Sequence, residues 1–190
     1  MTSEAIGSGL TPQAADRPLR IDADDFELFT LTRGFAQDRA VLDARWKALQ
    51  SQVHPDRFAS EGAAAQRVAM QWAIRVNEAY QRLKDPLKRA AYLCELNGQA
   101  IGAENNTAMP AAFLMQQMEW RESLDEARTL TAVERLADQV SARQRALQDE
   151  LAVLIDARRD WPAATAQVRA LMFITRFAQD VDRRLDAMSA

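Results

Sequence analysis

Residues 38–56 read DRAVLDARWKALQSQVHPD, and this stretch decides the fold. Asp38 is a good helix N-cap residue. Behind it Leu42, Trp46, Leu49 and Val53 recur at spacings of 4, 3 and 4, as one buried helical face requires. Pro55 then fixes its own φ and removes a backbone donor, so the helix must end. It also pushes His54 out of the α region. The expected product is a rigid corner between two helices, presenting the imidazole of His54 and the carboxylate of Asp56 to solvent.

Helices extend from this corner in both directions. Upstream, Phe26, Leu28 and Phe29 begin a short apolar helix expected to end near Gly34. Downstream, Ala59-Ser60-Glu61-Gly62 continues the loop, and a longer helix carries Val68, Trp72, Val76, Ala79 and Leu83 on one side. A short segment with Ala90, Leu93 and Leu96 follows Asp85-Pro86 and stops at Asn97-Gly98. From Gln99 to Met109 the helical stripe disappears, which reads as a linker. Beyond Pro110 three amphipathic helices are readable. The first covers about 111–127. The second opens at Thr131, with Glu134 completing a capping box, and follows Val133, Leu136, Val140, Leu147, Leu151 and Leu154. The third follows Trp161-Pro162 with Val168, Leu171, Ile174, Phe177 or Ala178, Val181 and Leu185. Short joins argue for an antiparallel bundle. The expected architecture is all-α: a tail at 1–20, a first module at 21–97, a linker at 98–108 and a three-helix domain at 109–190.

Composition supports an ordinary globular chain. Of 190 residues 48% are apolar and 27% charged, and glycine and proline number six each, which favours helix over sheet. No apolar run has the length of a membrane span. The N-terminal residues lack the pattern of a secretory signal, so the cytoplasm is the expected compartment. Cys94 is the single cysteine, which excludes an intramolecular disulfide and any cysteine-based zinc cluster. It reads as a small buried apolar group. A net charge of −3 argues against nucleic acid as a partner. Residues 98–190 hold 14 acidic and 11 basic side chains against 11 and 11 in 21–97, so the two halves are expected to meet different partners.

Catalysis by His54 and Asp56 would need a third orienting group, a nucleophile or a metal site. No other histidine exists, Cys94 is distant in sequence, and there is no glycine-rich phosphate loop. The pair reads better as a docking feature, with no catalytic or metal-binding residue assigned. Trp46 and Trp72 read as core, and Trp161 as packing at the start of its helix. Arg158-Arg159 and Arg183-Arg184 read as solvated pairs.

A helix, His54-Pro55-Asp56, and a longer helix with Asn77-Glu78-Ala79-Tyr80 near its end together resemble a J-domain, the module that activates the ATPase of DnaK-type chaperones. Asp85-Pro86-Leu87-Lys88-Arg89-Ala90-Ala91-Tyr92-Leu93 and the run from Phe113-Leu114-Met115 through Glu119-Trp120 to Glu126 resemble the HscB co-chaperones in their bacterial form. That resemblance spans about residues 24–188. It implies an HscA- or DnaK-type ATPase and the iron–sulfur scaffold IscU as partners, with no cofactor, nucleic acid or membrane. It implies chaperone docking through His54, Pro55 and Asp56, with Arg45, Lys47 and Arg57 supplying positive charge for steering. Two departures stand out: Val53 replaces the tyrosine that many J-domains place before the histidine, and the basic face of the preceding helix is thin.

The first bundle helix carries its own signal. At about 100° per residue, Phe113, Trp120, Leu124 and Ala127 form one stripe. Met115, Met118, Glu119, Glu122 and Glu126 lie around the opposite side, with Leu114 between. Methionine adapts to a partner and acids give electrostatic register, although a solvated acidic face would show the same residues. The resemblance implies scaffold binding at Leu114, Met115, Met118, Glu119, Glu122 and Glu126, joined by Phe173. Three competing readings remain at the level of sequence: a J-domain protein with a different client, a small helical enzyme using His54 and Asp56, and a structural adaptor.

Overall fold

The computed structural model describes residues 20, 22–102 and 109–189. The expected tail, apart from Arg20, and positions 103–108 of the expected linker lie outside the described residues. The described chain is helical: α1 (Asp25–Leu28), α2 (Arg39–Val53), a 3-10 helix (Pro55–Glu61), α3 (Ala63–Lys84), α4 (Pro86–Leu96), α5 (Ala111–Glu126), α6 (Leu130–Ala152), a π-helical turn (Val153–Arg158) and α7 (Trp161–Ser189). It divides into two compact units. One holds the residues through Arg33 together with Asp38–Leu83; the other holds Gly34–Gln37 and everything from Lys84 onward. This division differs from the module boundary expected at 97, because α4 packs on α7.

The first unit is an antiparallel hairpin of α2 and α3 with α1 against it. Asp38 caps α2, accepting from the N–H groups of Ala40 and Val41. The hairpin is cross-linked by side chains at matching heights. Trp46 stacks on Tyr80 with centroids 4.8 Å apart and donates its indole N–H to Asn77 at 3.0 Å, while Tyr80 donates its hydroxyl to Asp43 at 2.8 Å. Trp46 is therefore half-buried and polar-tied rather than a core residue. Leu42, Val53, Val76, Ala79 and Leu83 are buried between the elements. Val68, expected in that core, is 53% exposed, and Ala69 is buried. The inward position at this end of α3 is an alanine, which a stripe read from large side chains passes over.

α1 stops well before Gly34. Thr30 adopts φ of 53°, unfavourable for a β-branched residue, and the helix has already closed at Leu28. Arg45 holds the turn by donating to the carbonyls of Phe29 and Thr30. The fully buried Asp25 lies between Arg75 and Arg82 of α3, 2.6 Å from each. A carboxylate taken out of water requires such pairing, so this residue fixes α1 to α3.

The second unit has an apolar core of Phe113, Trp120, Val133, Leu136, Val140, Leu147, Leu151, Val168, Leu171, Ile174 and Phe177, all buried, from α5, α6 and α7. Trp120 stacks on Phe177 at 5.8 Å. The start of α6 corrects the expected capping box: Thr129, in extended conformation, accepts from the N–H of Ala132, and Thr131 lies inside the helix. At the far end the π-helical turn buries Ile155 and leaves Leu154 half-exposed. Asp156, from that turn, accepts the N–H groups of Phe35 and Ala36 at 2.6 and 2.8 Å. Arg89 of α4 donates to the carbonyl of Phe35 at 2.7 Å and lies over its ring. Burial holds the pKa of this guanidinium below the usual arginine value. Ile101 is buried too, and Arg169 donates to its carbonyl at 2.6 Å, so the first residues of the expected linker pack onto α7.

Candidate functional site

The corner is built by backbone constraint. Val53 is buried and ends α2; His54 is extended, with φ −64° and ψ 126°, as a residue before proline should be. Pro55 then opens the 3-10 helix, where its missing N–H leaves no orphan donor. The segment expected as loop is thus a short helix. His54 caps it: Nδ1 accepts the backbone N–H of Asp56 at 3.3 Å, and the His54 carbonyl accepts from the N–H of Arg57 at 3.0 Å. Arg57 reaches back to the Ser51 carbonyl at 3.0 Å, bracing the corner against α2.

The same Nδ1 lies 3.6 Å from the Asp56 carboxylate. That separation is too long for a hydrogen bond, and an accepting Nδ1 carries no proton. His54 therefore sets the shape of the corner, its ring nitrogen capping the turn rather than pairing with the carboxylate. The Asp56 side chain is 90% exposed. It is an acceptor-only group held outward on a stiff backbone, suited to a bidentate guanidinium from another molecule. Lys47 is exposed on α2, Arg57 is exposed but braced, and Arg45 is occupied with the carbonyls of Phe29 and Thr30. Of the three expected basic residues, Lys47 alone makes no ion pair or hydrogen bond among the described residues.

The second candidate lies on α5. Phe113, Trp120 and Ala127 are buried in the bundle and Leu124 is half-buried, so the opposite side is left to solvent. There Leu114, Met115 and Met118 are exposed, the two methionines at 62% and 71%, alongside exposed Glu119, Glu122 and Glu126. Phe173 of α7 is exposed as well and meets Phe113 edge-on, with ring centroids 6.3 Å apart. The structure therefore brings Phe173 beside α5. Among the described residues no group of three or more His, Cys, Asp or Glu is placed to hold a metal ion, and no helix is long and apolar enough to cross a membrane.

Residues 109–182 match the family described as the HSCB C-terminal oligomerisation domain. Over 166 residues the chain is 53% identical to the co-chaperone protein HscB homolog of Burkholderia multivorans, covering 86% of this chain and 94% of that one. The chain belongs to the HscB co-chaperone family. Another HscB homolog, from Burkholderia thailandensis, is 51% identical over the same share. Among solved structures, chaperone HscB from Vibrio cholerae is 37% identical with a TM-score of 0.76, over 87% of this chain and 99% of that one. Human co-chaperone protein HscB is 27% identical with a TM-score of 0.80, over 96% and 92%. The HscB fold therefore accounts for both units, a J-domain and a C-terminal helical domain.

Sequence reasoning missed a polar clamp at the end of the hairpin away from the corner, between the start of α2 and the end of α3. Arg39, Asp43 and Tyr80 form a cluster in which Arg39 donates to Asp43 at 2.7 Å and to the Tyr80 hydroxyl at 3.1 Å. The hydrogen bond from Tyr80 holds the Asp43 carboxyl below its ordinary value and raises the phenol. The i,i+4 spacing of Arg39 and Asp43 was a visible signal for half of it. Also unread was a groove of about 530 Å³ in the HscB C-terminal unit, lined by Met109, Pro110, Phe113, Arg143, Gln167 and Arg169.

Proposed function

We propose that the chain is a cytoplasmic co-chaperone of iron–sulfur cluster assembly, without catalytic chemistry or a cofactor of its own. The corner docks on an HscA- or DnaK-type ATPase and stimulates hydrolysis. The α5 face, with Phe173, carries an IscU-type scaffold to that ATPase. The observation that carries this reading is the outward Asp56 carboxylate, 90% exposed on a proline-stiffened turn. A guanidinium from the ATPase would form a charge-assisted pair with it.

Lys47 supplies steering charge to an acidic partner, while Arg57 both braces the turn and adds charge. Arg45 contributes less to docking, since its donors satisfy carbonyls at the end of α1. On α5, apolar side chains bordered by Glu119, Glu122 and Glu126 suit a partner with an apolar patch beside basic residues. Membership of a co-chaperone family supports a chaperone and a client as the two partners.

The test combines the chain with a candidate ATPase and a candidate scaffold. ATP hydrolysis should rise on addition of the chain and rise further with scaffold present, and Asp56→Asn should remove both increments. Stimulation that survives this substitution would refute the docking role. Stimulation without scaffold affinity would point to a different client.

A further inference from the structure

We infer that Met115 and Met118 make the α5 face an oxidant-sensitive switch: a peroxide converts their thioethers to sulfoxides and thereby releases the scaffold. This deepens, and rests on, the reading of that face as the scaffold site. The two sulfurs belong to side chains that are 62% and 71% exposed, so small oxidants reach them without any opening of the fold. They stand three residues apart on one helical face, beside Leu114, where the apolar contact would form. Met109, Met172 and Met188 are only half-exposed. Met70 is 56% exposed but lies on α3, in the other unit, and so serves as an internal control. The thiol of Cys94 is fully buried.

The chemistry is an oxygen-atom transfer. A sulfur lone pair attacks one oxygen of hydrogen peroxide, the O–O bond breaks and an S–O bond forms. The peroxide proton moves to the departing oxygen, so that peroxide is reduced to water and the sulfur is oxidised to the sulfoxide. The product is polar and needs hydrogen-bond donors that an apolar contact does not provide. Because both side chains point away from the bundle core, oxidation leaves the helix in place and changes only what the face will accept. A docked scaffold covers the same sulfurs and slows their oxidation, and enzymatic reduction of the sulfoxides restores the face.

The experiment treats the full chain with hydrogen peroxide, locates sulfoxides by peptide mass spectrometry and titrates the IscU-type scaffold by calorimetry. Oxidation at Met115 and Met118 should weaken binding about tenfold for each sulfoxide, with unchanged helicity. Methionine sulfoxide reductase should restore the affinity, and scaffold added before peroxide should protect both residues. The Met115→Leu, Met118→Leu double variant, whatever its own starting affinity, should show the same affinity before and after peroxide. Met70→Leu should remain as sensitive as the native chain. Full oxidation at both positions with unaltered binding, or a double variant as sensitive as the native chain, would overturn the switch alone. Absence of binding by the untreated chain would overturn the scaffold reading, and the switch with it.

Discussion

The corner of the first unit and the outer face of α5 both present side chains their own units do not use, by opposite means. At the corner, one carboxylate is aimed by a short-range device: a proline, a histidine cap and an arginine brace act within a few residues. On α5 the register of a sixteen-residue helix does the aiming, and three apolar side chains and three acids share the surface. The first arrangement concentrates recognition in one group, so a single change should abolish it. The second spreads recognition over an area, so single changes should weaken it by degrees.

The sharpest way to break this comparison is Asp56→Asn. It should cost the corner on the order of a hundredfold or more in ATPase stimulation with unchanged circular dichroism, as removal of one partner of a charged pair does. A merely graded loss would mean the corner also recognises by area. The inner side of α5 supplies the next largest effect. Trp120→Ala should destabilise the second unit by about 3–5 kcal/mol, because a buried aromatic leaves a cavity where it stacked on Phe177. Chemical denaturation of the variant measures it. On the outer side, Met115→Ala with Met118→Ala should leave that stability within about 0.5 kcal/mol of native, as surface changes do, and weaken scaffold binding about tenfold. Abolition by either substitution alone would show a focused contact instead of a spread one.

Smaller effects concern caps and clamps away from both presenting elements. Asp85 caps α4 by accepting from the N–H groups of Leu87 and Lys88; Asp85→Ala should cost about 1 kcal/mol in thermal or denaturant unfolding. The smallest is a pH effect at the other end of the hairpin from the corner. The pKa of Asp43 is lowered in the folded chain, first by the hydrogen bond from Tyr80. A lowered folded pKa gives stability that is present above the unfolded value and lost as pH falls through the folded one. Acid titration of the native chain should therefore show a slight extra loss of stability below the ordinary carboxylate range. Asp43→Asn should remove that increment.

Much of this was legible in the sequence because large apolar residues at helical spacing locate helices well. The stripe on α5 named Phe113 and Trp120 as inward, and hence Met115 and Met118 as outward. His54-Pro55-Asp56 announced the corner through proline's covalent geometry alone. What escaped was set by partners distant in sequence. Val68 matched the stripe of α3, yet its exposure depends on how the two helices of the hairpin meet. Arg45 looked like surface charge until the carbonyls freed by the early stop of α1 claimed it. Thr131 and Glu134 spelled a capping box, but Thr129 is the residue with extended backbone.

The strap at Gly34–Gln37 has a consequence for how this chain tolerates change. A β-carbon at Gly34 would stand 3.1 Å from an oxygen of Asp156, the same oxygen that accepts from Phe35 at 2.6 Å. To make room the carboxylate would shift by a few tenths of an ångström and lengthen that bond. What position 34 tolerates is thus set by how far an acid late in the chain can give, so the two positions are coupled.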